Sequence, residues 1–122
     1  VAKTLILAAL VFGHTLKPSQ VMRRGITAIT RDQMRDALAE GKRIKLVASL
    51  EAVSDLEDTP LEAHVEPMAL PEHDTLARVD GVMNAITFQT DTLSEVTIVG
   101  PGAGRLQTGQ GLLADLIAIA QQ

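Results

Sequence analysis

Apolar residues fill almost every position from Ala2 to Phe12, and Gly13 closes the run. A segment with so little polar surface predicts a helix covered on several sides. Pro18 and Gly25 break the pattern that follows, and Gly25-Ile-Thr-Ala-Ile29 reads as a short strand. Thr30 with Gln33 three residues on forms a capping box, in which side chains satisfy the open N–H groups of a helix start. Met34, Ala37 and Leu38 then recur at helical spacing until Gly41. From Arg43 the period becomes two. Ile44, Leu46, Ala48 and Leu50 alternate with Lys45, Val47, Ser49 and Glu51, the signature of a half-buried strand. Leu61, Ala63 and Val65 alternate with Glu62, His64 and Glu66 in a second strand, which Pro67 pushes towards a sheet edge. Residues 82–90 and 93–99 are rich in β-formers and flank Asp91-Thr92 as a hairpin. Gly100-Pro-Gly-Ala-Gly104 follows, and a last helix runs from about Thr108 to Ala120. The order predicts an α+β fold, a mixed or antiparallel β-sheet with helices packed on one face.

The chain has 122 residues, enough for one domain, and holds no internal repeat or linker-like stretch. A hydrophobic content of 46% with 21% charged residues is globular, not disordered. A net charge of −4 argues against nucleic acid or anionic lipid as main partner. With Phe12 and Phe88 as the only aromatic residues, base-stacking platforms are missing as well. Absence of cysteine excludes disulfides, thiolate zinc sites and thiol nucleophiles. The longest apolar run, Leu5–Phe12, is far below the roughly 20 residues that span a bilayer, and no small-x-small cleavage pattern follows it.

Few residues suggest chemistry by themselves. His14, His64 and His73 lack metal-ligand spacing, so no metal site is expected. The acidic stretch Glu51, Asp55, Glu57 and Asp58 reads as a solvated loop, and Arg23-Arg24 is too small a basic patch to argue from. Gly100–Gly104 lies between a strand and a helix, where backbone N–H groups can approach an anion or cofactor. It is not a GxGxxG fingerprint, so a plain tight turn stands beside that reading. Lys3 at the head of an apolar helix is either a side chain snorkelling off the helix end or a functional cation.

Taken together, four stretches resemble the catalytic, substrate-binding and dimerisation region of homoserine dehydrogenase: Lys3 to Gly13; Gly25 to Val47; His73 to Ile86, with Leu76-Ala77 and Gly81-Val-Met-Asn-Ala-Ile86; and Gly100 to Ala120. The resemblance covers nearly all of residues 1–122 and is weakest at 51–60. It implies an enzyme that interconverts L-aspartate 4-semialdehyde and L-homoserine with NAD or NADP, in the cytoplasmic aspartate pathway to threonine and methionine. Lys3 matches the lysine that handles the proton on the substrate oxygen. Gly104 matches a glycine against the nicotinamide cofactor, and Thr108 lies one helical turn beyond it. Most cofactor contacts are expected from an N-terminal dinucleotide-binding domain that this fragment lacks, and a homodimer is expected through this region. Thr108-Gly-Gln-Gly111 departs from the small-residue run usual there, and its glycines weaken a helix start. Two other readings stay open: a related oxidoreductase acting on a different carbonyl substrate, and a non-catalytic, self-associating α+β module.

Overall fold

A computed structural model describes residues 1–53 and 60–121. The chain divides into two compact units, Val1–Pro71 and Glu72–Gln122. Asp55, Glu57 and Asp58 of the acidic stretch lie outside the described residues, while Glu51 is exposed near the end of a strand.

The first unit opens with α1 (Ala2–Phe12), as its apolar run predicts. Gly13 ends it in the left-handed region, and the amides of Gly13 and His14 both donate to Ala8 O. Thr4 and Ala8, one turn apart, are the buried positions of α1, which lies against two strands of a sheet, β2 (Lys42–Ala52) and β3 (Leu61–Pro71). A single turn of 3₁₀-helix at Pro18–Gln20 leads into β1 (Val21–Arg23). The strand expected at Gly25–Ile29 is therefore displaced: the chain joins the sheet earlier, and Ile29 N turns back to Ile26 O. The displacement has a non-local cause. Residues Val21–Arg23 pair in parallel with Ala63–Val65, and periodicity in so short a segment carries no trace of such a partner. The capped helix forms as read, α2 (Arg31–Ala39), with Gln33 N donating to Thr30 Oγ1 (3.2 Å) and Thr30 N to Gln33 Oε1 (2.8 Å).

The antiparallel pairing of β2 and β3 runs unbroken from Lys42 opposite Pro71 to Ala52 opposite Leu61. Its register puts Ile44, Leu46, Ala48 and Leu50 on one face with Ala69, Pro67, Val65 and Ala63, as alternation predicts. Ser49 and His64 share the other face with Val47 and Glu66. The expected edge position of Pro67 needs correction, because the order β1-β3-β2 makes β3 central. The proline is accommodated because β1 is short. Val65 O accepts from Arg24 N at the point where β1 ends, so the Pro67 nitrogen faces a side on which no strand continues, and no ladder bond is lost. Arg24 fills the gap, Nη2 donating to Pro67 O (3.4 Å) and pairing with Glu66 (3.3 Å).

In the second unit a 3₁₀ turn at Leu76–Arg78 precedes the hairpin β4 (Met83–Thr90) and β5 (Ser94–Pro101). Their antiparallel register pairs Asn84 with Gly100 and Thr87 with Thr97, whose hydroxyls lie 2.8 Å apart. The last helix, α3 (Arg105–Ala120), starts at Arg105 and not Thr108, because Gly104 serves as its N-cap and Thr108 N closes the first turn on Gly104 O (3.0 Å). No described helix is long and apolar enough to cross a membrane.

Candidate active site

The candidate residues fall on two elements, one in each unit. Lys3 occupies the first turn of α1. Thr4 and Ala8 commit that helix to the sheet, while Lys3 leaves on another side and is exposed. Its ammonium carries no ion pair or hydrogen bond among the described residues, so its donors are available to a ligand. Thr4 beside it is nearly inaccessible (1% exposed), and its Oγ1 is buried with no hydrogen-bond partner among the described residues.

Gly104 and Thr108 belong to the second unit and are brought together by the first-turn bond of α3. Upstream, the turn is tied to the foot of the hairpin: Gly102 N (2.9 Å) and Ala103 N (3.2 Å) both donate to Val82 O. These two amides are used internally. The first-turn amides of α3 are not, since no side chain caps the helix and the leading N–H groups of any helix lack intrahelical partners. Gly104 adopts φ 125°, ψ 151°, a conformation that is essentially glycine's alone. Donors at a helix start suit a polar group of a nicotinamide cofactor. The turn fits such a group.

Two side chains outside the expected set stand against this turn. A Cβ on Gly102 would collide with the Asn84 amide group and lie 2.9 Å from its Cβ. A Cβ on Gly104 would collide with Gln107 Oε1 and lie 3.0 Å from Cδ. No sequence signal marked Asn84, because its place opposite Gly100 follows from the observed register of the hairpin. Gln107 could be found only once Gly104 was known to be the N-cap. His14, His64 and His73 join no metal-binding group among the described residues, although His64 Nε2 lies 3.7 Å from Glu62.

Comparison with known proteins gives this arrangement its context. The family model described as homoserine dehydrogenase matches residues 1–117. Homoserine dehydrogenase of Lactococcus lactis is 32% identical over 120 residues, covering 98% of this chain and 27% of that protein. The NAD(+)-dependent homoserine dehydrogenase of Pseudomonas canavaninivorans is 35% identical over 119 residues, 98% of this chain and 33% of its own length. Among solved structures, S. aureus homoserine dehydrogenase superposes with a TM-score of 0.82 at 32% identity, over 98% of this chain and 29% of that one. The enzyme from Thiobacillus denitrificans gives 0.82 at 33% identity, over 94% and 26%. The α+β frame is thus one shared with solved homoserine dehydrogenases. The chain belongs to the homoserine dehydrogenase family, and it spans about a quarter to a third of the length of these relatives.

Proposed function

We propose that the intact protein carrying this chain interconverts L-aspartate 4-semialdehyde and L-homoserine, using NAD or NADP, and that this region holds its proton-transfer group. The observation that carries the reading is the family match over residues 1–117, which includes Lys3, Gly104 and Thr108. The name of the Pseudomonas relative supports a nicotinamide cofactor. Such a cofactor, when bound, supplies or accepts the hydride at the carbon of the reacting carbonyl. Lys3 answers the charge this creates. As the carbonyl carbon gains a hydride its oxygen becomes alkoxide-like, and an ammonium within hydrogen-bond reach stabilises that charge and gives up a proton from Nζ. In the reverse direction the neutral amine takes the hydroxyl proton back. Gly104 caps the helix whose leading amides would face the cofactor, and Thr108 keeps the turn in place through its amide bond to Gly104 O. Cytoplasmic location in the aspartate pathway, a small-molecule substrate without nucleic acid or membrane, and a homodimer complete the proposal.

The test is Lys3→Met in the intact protein, with homoserine-dependent NAD(P)H formation as the assay. A positioned proton-transfer group contributes about 10²–10⁴-fold, and kcat should fall by that order with an unchanged unfolding midpoint. Near-normal turnover by a folded variant would return Lys3 to the status of a surface lysine.

A further inference from the structure

We propose that the outer edge of β2 joins two copies of this chain, the strand pairing antiparallel with its own counterpart across a two-fold axis at Val47. This contact rests on the homodimer of the preceding reading and says how that dimer is made. Among the described residues, β2 ends the order β1-β3-β2 and pairs with β3 alone. It is eleven residues long, holds no proline and keeps an unbroken register, so no bulge or missing donor closes its other side. Alternation tells which backbone groups point there. Val65 faces β1, since its carbonyl accepts from Arg24 N. His64 and Glu66 therefore face β2, and Ser49 and Val47 opposite them turn their backbone groups into the sheet. Ile44, Leu46, Ala48 and Leu50 take the alternate positions, so their N–H and C=O groups point outward. Such a row is a template for another strand, and Leu46 in its middle is 55% exposed.

The residues of β2 favour a second copy as the occupant. Val47 is the midpoint of Lys42–Ala52, so a two-fold axis there pairs every position of the strand. Ile44 then meets the partner's Leu50, and Leu46 the partner's Ala48, apolar against apolar on one face. On the other face Arg43 meets the partner's Glu51 at both ends, and Val47 meets the partner's Val47 on the axis. Cations near the start of the strand and an acid near its end thus oppose unlike charges when two copies run antiparallel. An unrelated strand would match this order of charge and apolarity only by chance. A two-fold pair also closes on itself, each copy satisfying the open edge of the other.

A charge swap in the intact protein, read by sedimentation over a dilution series, tests this. Arg43→Glu and Glu51→Arg each set like charges opposite one another at two symmetric places, and each should weaken the dimer about tenfold. Both substitutions together restore unlike pairs and should bring the dissociation constant back to within about threefold of native. Val47→Cys supplies a second measure that decides alone if a charge variant fails to fold. Facing side chains at a non-hydrogen-bonded antiparallel pair lie within disulfide reach, so mild oxidation should give a covalent dimer that the native protein does not form. A dimer indifferent to the charge reversals, or a dimeric Val47→Cys variant that does not cross-link, overturns the edge pairing and leaves the homodimer standing. A native protein that stays monomeric throughout overturns the homodimer and this contact together.

Discussion

Thr4 sets the terms at the residue scale. A buried hydroxyl without a partner is destabilising, because it has given up water and gained nothing. Its place is nevertheless well chosen: a small side chain lets α1 come close to the sheet beside an exposed Lys3. Thr4→Val preserves shape and removes the unsatisfied group. In the 122-residue chain it should raise unfolding free energy by about 1 kcal/mol, read from urea unfolding. A loss of stability would mean that the hydroxyl is satisfied after all. Other single residues were less legible. Lys3 stood out by its contrast with the run behind it, and Gly104 by the glycine cluster. Asn84 and Gln107 did not, because what they do depends on backbone angles and strand register, which residue spacing does not encode.

Among the elements, those set by local rules were read well and those set by distant partners were not. The apolar run of α1, the capping box of α2, the alternation of β2 and the hairpin of β4 and β5 each follow from neighbours within a few positions. Strand β1 exists because three residues find Ala63–Val65 in parallel, and β3 is central for the same reason. The beginning of α3 was read late because its N-cap is a glycine with no side-chain cap to announce it. Local rules also predict measurable energies. Thr30→Ala removes the hydroxyl that accepts from Gln33 N and should cost about 1 kcal/mol. Gln33→Ala breaks the other half of the box, and the paired mutants should be less than additive, since they share one motif. Full additivity in unfolding experiments would argue that the two bonds act separately.

For the molecule as a whole the deciding quantity is uncovered apolar surface. Buried apolar residues in the first unit are mostly small, Ala8, Ala37 and Ala63 alongside Val21 and Leu70. Ile6, Leu10, Val11 and Phe12 of α1 remain exposed, and Leu46 of β2 is 55% exposed. In α3, Leu106 is 82% exposed, and Leu112, Leu113, Leu116, Ile117 and Ile119 are also open. Exposed apolar residues on this scale are the kind that association with further protein covers. The proposed homodimer would account for part of it, as closed two-fold pairs are the commonest solution. Sedimentation of the intact protein should give a two-subunit mass at micromolar concentration. A well-behaved monomer over that range would oppose it.

Pro67 has a consequence for solubility. On the side of β3 that β1 leaves free, the backbone positions facing outward after Val65 are 67, 69 and 71, and two of them are proline. A passing strand that tried to add itself there would find one amide, at Ala69, where three would be needed for a ladder. The stretch is thus closed to edge-to-edge self-assembly while remaining fully paired with β2. Pro67→Val would restore a donor and a β-former at once. Its fold should persist through the β2 pairing, but light scattering on warming should begin earlier than for the native chain.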